Sequence, residues 1–547
     1  MAIVTSRTRK CLTSVGGAWL ILLVMLVAIY ASPTAAARPS GAQANAASEG
    51  GQGPPRDTAS SPVSPDQAVS TRDVPAPQLV KEINPGNASS APEMFVQFDQ
   101  TVYFRANDGE HGVELWRTDG TAAGTSLVAD LFPGPLNGVP GNLAVAGGSL
   151  YFHAFTEPTG SKVFRSDGTR AGTQLLVDTF PGAPGGPSGP PLPGAFTTFG
   201  KRVLFAATDP EHGYELWSTD GTGAGTALVK DIHPGQQWSV PVGLLPFAGK
   251  AFFGADDSVI SNPDGTATFN RELFVTDGTA SGTSRLIDIN PGPQPSTPIL
   301  LTRFGQQFLF RANDGAHGDE LWTSDGTATG TRMLADINLS GRSLPDHLTV
   351  AGDRVFFSAD DGVRGAELWV TDGTGDGTQI VKDINPAGSS SPMRFTRLGD
   401  RIVFAADDGQ NGNEIWVSDG TSAGTQLLKD VNAGAANSSP LELVAAGGSV
   451  YFTAIADADE TTKTVRTQLW TTDGTEEGTM LVWEAPGRLP AYSIRNLTVL
   501  GQQLLFSAPA AVDAEGLSAN IELYRLDVNA GDAPSAVAPA SAPLGRS

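Results

Sequence analysis

The residues best suited to chemistry are acidic side chains in a set of short Asp-Gly loops. Four of these loops carry a central aspartate next to further polar residues, and these aspartates are Asp108, Asp314, Asp361 and Asp408. Clustered oxygens of this kind can bind Ca²⁺, which takes about six to eight oxygen ligands. The Asp-x-Asp-x-Asp-Gly spacing with a distal glutamate is missing, so ordinary turn chemistry is the favoured interpretation and calcium the alternative.

Three histidines lie in the same type of loop, and they are His111, His212 and His317. Imidazole is a common metal ligand near neutral pH. These three histidines belong to different units of the chain, too far apart in sequence to be assigned to one site. We therefore expect solvent-facing turn residues, and no cofactor besides the calcium alternative.

A second acidic motif, Asp-Gly-Thr, recurs along most of the chain. The intervals run from 47 residues (Asp325 to Asp372) to 57 residues (Asp220 to Asp277). The eight aspartates are Asp119, Asp167, Asp220, Asp277, Asp325, Asp372, Asp419 and Asp473. Asp accepts hydrogen bonds from nearby backbone N–H groups, Gly tolerates positive φ and Thr closes a turn with its hydroxyl. Because a functional site is needed once rather than eight times, we interpret the motif as a structural turn.

A Glu-Leu-Trp triplet, or a close variant of it, precedes most of these turns. The tryptophans are Trp116, Trp217, Trp322, Trp369, Trp416 and Trp470. The glutamates at the same motif are Glu114, Glu215, Glu272, Glu320, Glu367, Glu414 and Glu522. We expect the tryptophans to pack between repeats, with a carbohydrate-stacking row as the alternative. We expect the glutamates to accept hydrogen bonds, because acid/base catalysis needs carboxylates in contrasting environments and a repeated position provides none.

The elements that must position these residues are short β-strands. In the unit that contains Asp419, strands are predicted over Met393–Leu398, Arg401–Ala406, Glu414–Ser418 and Thr425–Val431, separated by Gly-, Asp- and Asn-rich turns. No window has a 3.6-residue apolar period, so we expect very little helix. Four short antiparallel strands every ~50 residues is typical of a β-propeller blade.

The two ends of the repeat region predict how the propeller closes. A lone fourth strand, Gln78–Ile83, precedes the first unit. The last unit has only three strands, Ser493–Leu500, Gln502–Ser507 and Ile521–Val528. The first strand can complete the last sheet and remove an unpaired edge. We therefore predict an all-β protein with one nine-bladed propeller, above the usual range of about four to eight blades. Two smaller propellers are the alternative, which the split blade disfavours.

The full motif resembles that of the bacterial ELWxxDGT-repeat family. It is clearest as Glu-Leu-Trp-Val-Thr-Asp-Gly-Thr-Gly-Asp-Gly-Thr over residues 367–378, and the resemblance covers residues 78–528. The blade pattern is more distantly similar to that of TolB-like propellers. The resemblance implies export and a propeller fold, and it implies no established reaction. Three units depart from the pattern: the second has Lys162-Val-Phe-Arg, the fourth has an insertion through Ser258–Arg271, and the eighth has Ala456–Thr467 in place of the short loop.

The termini predict an exported protein. Residues 1–37 have the basic start, apolar run and Ala-Ala-Ala end of a signal peptide, with an uncleaved N-terminal anchor as the alternative. Residues 38–77 and 529–547 are Pro/Ala/Ser-rich and are predicted to be a disordered linker and tail. The only cysteine, Cys11, lies before the apolar run, so we expect neither lipid attachment nor a disulfide. We expect a secreted or cell-envelope location.

The charge balance excludes some partners. The formal net charge is −23, and removal of residues 1–37 with their three basic side chains would make it −26. A strongly acidic protein is poorly suited to bind nucleic acid or anionic lipid. We expect a monomer that neither binds nucleic acid nor contacts a membrane beyond a possible anchor.

Function is expected on the loops rather than in the motif. In a propeller, the Asp-Gly loops, the connections between blades and both insertions share one face, and binding residues concentrate on such loops. We favour an exported, non-enzymatic binding or scaffold protein with an unknown protein or polysaccharide partner. The alternative is a glycan hydrolase or lyase whose site lies in the central channel, with carboxylates that converge from the atypical second, fourth or eighth unit.

Overall fold

The computed structural model describes residues 75–86, 88–156, 160–181, 192–261, 267–292, 294–459, 464–489, 493–512 and 519–528. These ranges contain 36 β-strands and no helix, paired into nine four-stranded antiparallel sheets. The sheets are the blades of a β-propeller, which confirms the predicted fold and blade number. The expected signal peptide (1–37), most of the expected linker (38–74 of 38–77), the tail (529–547) and Cys11 lie outside the described residues.

The strands are labelled in chain order and begin with β1 (Gln78–Lys81). Blades 1 to 3 are formed by β2 (Glu93–Phe98), β3 (Thr101–Asn107), β4 (Val113–Thr118), β5 (Ser126–Ala129), β6 (Gly141–Ala146), β7 (Ser149–Ala154), β8 (Lys162–Ser166), β9 (Gln174–Val177), β10 (Gly194–Phe199), β11 (Arg202–Asp209), β12 (Gly213–Thr219) and β13 (Ala227–Lys230). Blades 4 to 6 are formed by β14 (Val242–Phe247), β15 (Lys250–Ser261), β16 (Ala267–Thr276), β17 (Ser284–Ile287), β18 (Ile299–Phe304), β19 (Gln307–Asn313), β20 (Asp319–Ser324), β21 (Arg332–Ala335), β22 (Asp346–Ala351), β23 (Arg354–Asp360), β24 (Ala366–Thr371) and β25 (Gln379–Lys382). Blades 7 to 9 are formed by β26 (Met393–Leu398), β27 (Arg401–Asp407), β28 (Asn413–Ser418), β29 (Gln426–Lys429), β30 (Leu441–Ala446), β31 (Ser449–Asp459), β32 (Thr464–Thr472), β33 (Met480–Glu484), β34 (Arg495–Leu500), β35 (Gln503–Val512) and β36 (Ala519–Asp527), with β1 as the fourth strand of blade 9.

The ring closes where β1 pairs with β36, as the sequence predicted. Gln78 lies opposite Arg525 and Lys81 opposite Leu523 in the antiparallel register. The guanidinium of Arg525 donates hydrogen bonds to the side chain of Gln78 and to the carbonyl of Gly120 in blade 1, both at 3.1 Å. The first strand therefore covers the edge of β36 and gives the last blade four strands, like the other blades.

The first strand of each blade lines the centre of the ring. Each first strand contacts the first strands of both neighbouring blades, including β2 with β34. Every one of them has a register shift characteristic of a β-bulge. The residue at its second position has positive φ, between 51° and 67°, and these residues are Met94, Asn142, Ala195, Gly243, Leu300, His347, Arg394, Glu442 and Asn496. Because the feature recurs in all nine blades, it belongs to the architecture.

The hydrophobic core lies between the blades. Trp416 of blade 7, for example, packs with Phe356 and Val381 of blade 6 in one buried cluster. The ammonium of Lys382 also lies 5.7 Å from the centre of the Trp416 ring. Five of the six motif tryptophans are no more than 9% exposed, and these are Trp116, Trp322, Trp369, Trp416 and Trp470. The prediction of packing between blades is confirmed, because so little ring surface is left for a stacked sugar.

The propeller has two unlike faces. On one face, which we call the turn face, Arg401 at the start of β27 donates to the carbonyl of Gly474 in the Asp-Gly-Thr turn of blade 8 at 3.0 Å. On the other, which we call the loop face, the connections between blades adjoin the Asp-Gly loops. Asn385 in the connection from blade 6, for example, lies directly against Gly409 of blade 7. The predicted sharing of one face by loops and connections is confirmed.

The insertions take a form that the sequence analysis did not predict. Instead of loops, they lengthen the second and third strands into projecting hairpins on the loop face. In blade 4, β15 and β16 have 12 and 10 residues, compared with 7 and 6 for β27 and β28. Cross-strand pairs such as Val259 opposite Phe269 continue the ladder beyond the usual end. Blade 8 has a similar hairpin, and so does blade 9, where no insertion was predicted.

Candidate functional site

The Asp-Gly-Thr turn closes on itself through hydrogen bonds. In blade 7 the Oδ1 atom of Asp419 accepts from the backbone N–H of Thr421 at 2.8 Å and from its hydroxyl at 2.7 Å. The same hydroxyl accepts from the N–H of Gly424 at 3.0 Å. These bonds hold the pKa of the Asp419 carboxyl below its usual range.

Gly424 is required by this turn because a Cβ at that position would lie 2.2 Å from the carboxylate of Asp419. The same hydrogen bonds between Asp and Thr recur in all eight copies of the turn. The carboxylate of each of the eight Asp-Gly-Thr aspartates therefore accepts hydrogen bonds from its own turn. Nothing in the turn distinguishes one blade as a site.

The motif glutamates fasten the connections between blades. Each is fully buried. The carboxylate of Glu414, for example, accepts from the N–H of Val431 at 2.9 Å, and from the N–H and hydroxyl of Ser438 at 2.8 and 2.5 Å. Burial raises the pKa of Glu414 to about 7, although the hydrogen bonds act in the opposite direction. The expectation that these glutamates accept hydrogen bonds is confirmed.

The candidate calcium aspartates are occupied by their own loops. Oδ1 of Asp108 accepts from the backbone N–H groups of Glu110 and His111 at 2.9 and 2.8 Å, while Oδ2 lies 2.8 Å from Nδ1 of His111. The equivalent side-chain partners elsewhere are His317 for Asp314, Arg364 for Asp361 and Asn411 for Asp408. Among the described residues, no three His, Cys, Asp or Glu side chains are grouped to share a metal ion.

The loop histidines lie in three separate blades, each paired with an aspartate of its own loop. His212 contacts Asp209 at 2.9 Å, as His111 and His317 contact Asp108 and Asp314. The hydrogen bond to Asp108 raises the pKa of His111. Each of these histidines is therefore positioned by an aspartate of its own loop.

The charged groups of the three atypical blades pair locally. In blade 2 Lys162 lies 3.2 Å from Asp178, and in blade 8 Arg466 lies 2.8 Å from Glu484. In blade 4 the buried carboxylate of Asp256 receives two hydrogen bonds from the guanidinium of Arg271, at 3.0 and 2.8 Å. Burial raises the pKa of Asp256, and Arg271 opposes that shift. These carboxylates are bound to neighbouring cations rather than directed together into the channel.

A cavity of about 350 Å³ opens in the channel wall between blades 5, 6 and 7. It is formed at the start of the first strands β18, β22 and β26, where the left-handed residues turn inward. Its apolar lining residues are Leu300, Leu301, Leu348 and Phe395. Its polar lining residues are Thr302, Asp346, His347, Thr349 and Arg394. The volume falls within the range of about 300–1,000 Å³ that is usual for small-ligand sites, and the lining is about equally apolar and polar.

The polar groups of the cavity include one carboxylate, one imidazole and one guanidinium. Asp346 accepts from the backbone N–H of His347 at 2.7 Å and lies 3.9 Å from the guanidinium of Arg311. The imidazole of His347 packs at 5.9 Å from the ring of Phe395. Its ring nitrogens have no hydrogen-bond partner in the described part of the chain. Burial lowers the pKa of His347. The negative charge of Asp346 opposes this shift, and the positive charge of Arg394 adds to it.

Two aliphatic side chains are exposed on the loop face. Leu339, in the connection between blades 5 and 6, and Val363, in the Asp-Gly loop of blade 6, are each 86% exposed. Their loops adjoin, because Asn338 lies directly against Gly362. The connection that carries Leu339 continues into β22 and so leads to His347. Two adjoining loops thus each expose one aliphatic side chain.

No sequence motif marks the cavity. Its residues come from three blades, and only the repeated register of the first strands places them together. An alignment of those strands has eight residue types in nine blades at the position of His347 and Arg394, where only asparagine occurs twice. Variation at one repeated position was the available signal.

Comparisons with known proteins give no family. No protein-family model and no curated protein sequence matches the chain. Among solved structures, the chain is similar to puromycin hydrolase at 16% identity and a TM-score of 0.37, with 69% of this chain and 59% of that chain covered. The chain thus spans less than two thirds of that protein.

The chain is also similar to two further solved structures. The β-propeller domain of the Trilobed protease from Pyrococcus furiosus has 9% identity and a TM-score of 0.34, with 63% of this chain and 99% of that chain covered. The Niastella koreensis GH74 enzyme has 12% identity and a TM-score of 0.33, with 84% and 73% covered. The fold assignment rests on the strand pairing described above.

Proposed function

We propose that this chain is an exported β-propeller of the ELWxxDGT-repeat type that binds a macromolecular partner through its loop face. The motif that recurs through residues 78–528 supports the family, and the signal-like residues 1–37 support export. In this proposal the protein acts as a recognition scaffold rather than as an enzyme.

The observation that carries the proposal is the contrast between the two faces. The turn face repeats one hydrogen-bonded Asp-Gly-Thr turn in eight blades. The loop face instead carries three unequal hairpins and the exposed Leu339 and Val363. Blade-specific groups on one side of a repeated scaffold are typical of binding proteins.

The exposed side chains favour a protein partner over a polysaccharide. Leu339 and Val363 are aliphatic, and sugar rings are usually held by flat aromatic side chains together with polar groups. Burial of two such side chains contributes about 1.5–3 kcal/mol each to an interface. The polar rim around them would supply specificity.

An enzymatic site for glycans is less well supported. Glycoside hydrolysis of the usual type uses a pair of carboxylates. The cavity lining includes one carboxylate, Asp346, and that group is already bound by the backbone of His347 and faces Arg311.

The test is a comparison of two surface variants of the exported protein. The double variant Leu339→Ser/Val363→Ser changes the proposed surface, whereas Leu175→Ser changes a side chain that is 50% exposed on the outer strand β9 of blade 2. Cross-linking and pull-down from the native extracellular milieu, in parallel with a glycan array, should yield a protein that binds wild type and Leu175→Ser but not the double variant. Equal capture by all three, or binding of glycans alone, would contradict the proposal of a protein partner.

A further inference from the structure

Five blades contain the same two buried polar groups without a protein partner. One is the indole N–H of the motif tryptophan, and the other is Oδ1 of the aspartate 14 positions further along the chain. Neither atom has a hydrogen-bond partner within the described part of the chain. The pairs are Trp116 with Asp130, Trp217 with Asp231, Trp322 with Asp336, Trp369 with Asp383 and Trp416 with Asp430.

We propose that each of these five pairs is a binding site for one internal water molecule, which bridges the indole N–H and the aspartate carboxylate. The sites lie inside the blades 1, 3, 5, 6 and 7. They belong to the scaffold, so the proposal is independent of what the loop face binds.

The two groups occur in the same blades, which indicates that they share one site. Blades 2 and 4 have phenylalanine in place of the tryptophan, and there the corresponding aspartate pairs with a cation of its own blade. Asp288 lies 3.2 Å from Arg285, and Asp178 lies 3.2 Å from Lys162. Among the residues that the structure describes, a buried aspartate oxygen without a partner is found only where the blade also has an unpartnered indole N–H.

Blade 8 shows that one small group can connect the two positions. Its tryptophan, Trp470, is followed at the same interval by Glu484, and Gln468 replaces the motif glutamate. Oε1 of Gln468 accepts from the indole N–H of Trp470 at 2.9 Å, and Nε2 of Gln468 donates to Oε2 of Glu484 at 2.9 Å. A single amide therefore accepts from the indole and donates to the carboxylate.

In the five blades the motif glutamate is engaged elsewhere. The carboxylate of Glu414, for example, accepts from the N–H of Val431 and the hydroxyl of Ser438 in the connection to the next blade. Burial raises the pKa of Glu414 to about 7, and the charge of Asp430 adds to this shift, so the two carboxylates lie near each other. The indole of Trp416 and Oδ1 of Asp430 are thus left as one donor and one acceptor in the same region of the blade.

The chemistry of the two groups favours water as the ligand. An indole N–H only donates a hydrogen bond, and the carboxylate oxygen accepts one. A bridging molecule must therefore accept from the first group and donate to the second. A chloride ion cannot donate and a metal cation cannot accept, whereas water does both. Both protein atoms are buried, and buried water commonly satisfies polar groups that have no protein partner.

The experiment is a crystal structure of the full chain at a resolution that shows ordered water. We expect one water molecule within hydrogen-bond distance of both atoms in each of the five blades. Blade 8 is the internal control, because the amide of Gln468 already occupies the bridging position. A direct bond between indole and carboxylate, a water that touches only one of the two groups, or a metal ion at the carboxylate would overturn the proposal.

The variant Trp416→Phe removes the donor from one site. The fold accommodates phenylalanine here, because Phe164 and Phe274 occupy the same position in blades 2 and 4 and are 5% and 4% exposed. We expect the water of blade 7 to be lost and the other four to remain. Trp470→Phe is the matched control, and it should leave all five waters in place. A water that stays at Asp430 in Trp416→Phe would contradict a shared site.

The double variant Glu414→Gln/Asp430→Glu copies the two residues of blade 8 into blade 7. We expect the new amide to accept from the indole of Trp416 and to displace the water from this blade alone. Retention of the water beside the new amide would count against the proposal.

Water beside the indoles can also be detected in solution, without crystals. In the full chain labelled with ¹⁵N-tryptophan, rotating-frame NOE transfer from water to an indole proton reports a bound water, and its sign separates this transfer from proton exchange. We expect the transfer at five indoles and its absence at Trp470, with the Trp→Phe variants providing the assignments. Transfer at Trp470 equal to that at the five, or none at any of them, would overturn the proposal.

Discussion

The carboxylate of Glu522 accepts a hydrogen bond from the hydroxyl of Ser90 at 2.6 Å, across 432 positions of the chain. The same carboxylate accepts from the backbone N–H of Ile83 at 2.9 Å. In six other blades the corresponding glutamate binds the connection that leads from its own blade to the next, so the two blades are already joined covalently. In blade 9 it fastens the connection that follows β1, so this contact locks the closed ring.

Loss of the Glu522 carboxylate should loosen the closure specifically. Glu522→Ala leaves the Ile83 N–H unsatisfied and the Ser90 hydroxyl with only the Ile521 carbonyl at 3.2 Å, which we expect to cost about 1–3 kcal/mol in the free energy of unfolding. Hydrogen exchange should then accelerate in β1 before it does so elsewhere. The control is Glu367→Ala, which removes the same bonds to Ile384 and Ser390 within blade 6 and its connection. Equal protection of β1 in both variants would contradict a special role for Glu522.

The glycine that ends the Asp-Gly-Thr-x-x-Gly turn should not tolerate a side chain. Gly424→Ala places a methyl group 2.2 Å from the carboxylate of Asp419, and we expect a loss of about 1–3 kcal/mol in the free energy of unfolding. Gly388→Ala is the control, because a Cβ there meets no atom within 4 Å, and its change should stay within about 0.5 kcal/mol. Urea denaturation followed by tryptophan fluorescence measures both. Similar midpoints for the two variants would show that the turn can adjust.

The buried glutamates should make stability depend on pH near neutrality. Burial raises the pKa values of Glu114, Glu215 and Glu414 to about 7 in the folded state. The folded protein then binds more protons than the unfolded chain between the ordinary pKa of glutamate and about 7. The stabilisation is complete below this window and is lost as the pH rises through it. The melting temperature should therefore be higher at pH 5.5 than at pH 8.

The control for this pH dependence is the triple variant Glu114→Gln/Glu215→Gln/Glu414→Gln, which should show a smaller difference between the two pH values. Below about pH 4 the turn aspartates act with the opposite sign. The pKa of Asp419, for example, is lowered, so the stabilisation from its carboxylate is lost as the pH falls further. A wild-type melting temperature that rises from pH 5.5 to pH 8 would contradict the assignment.

Calcium should have little effect on the fold. Both carboxylate oxygens of Asp361 are taken by its own loop, through the N–H groups of Val363 and Arg364 and the guanidinium of Arg364. We expect the same melting temperature with a chelator as with excess calcium, measured by differential scanning fluorimetry. Asp361→Asn is the matched variant. A calcium-dependent increase that this variant abolishes would support the calcium alternative at these loops.

The sequence predicted the parts of the fold that repeat. The interval between Asp-Gly-Thr turns predicts the number of blades, because the turn follows from local chemistry. The lone strand at Gln78 predicts how the ring closes, because the last three-stranded unit has an edge to pair. The sequence of blade 4 predicts an insertion through Ser258–Arg271 but not that it extends the two strands. The salt bridges of Asp256 to Arg271 and of Asp257 to Arg285, which depend on tertiary structure, hold these aspartates in or beside the ladder.

The candidate site was harder to predict than the fold. His347 and Arg394 are 47 positions apart and belong to no motif. They meet because two first strands lie side by side and carry a left-handed residue at the same position. Repetition identifies scaffold residues, whereas residues that differ between repeats must be located by their place within the repeat.

The contact of Arg525 with both Gln78 and Gly120 has a mechanical consequence. It places the start of β1 at the turn face, so a pulling force applied through the preceding chain enters the propeller on the side away from the cavity. When the rest of the propeller is held in place, such a force pulls β1 along its own axis. The β1–β36 hydrogen bonds run across the strand direction, so all of them are loaded together in shear. A force between Gln78 and Asp527 would instead separate those pairs one at a time. The same closure is thus strong against one direction of load and weak against another.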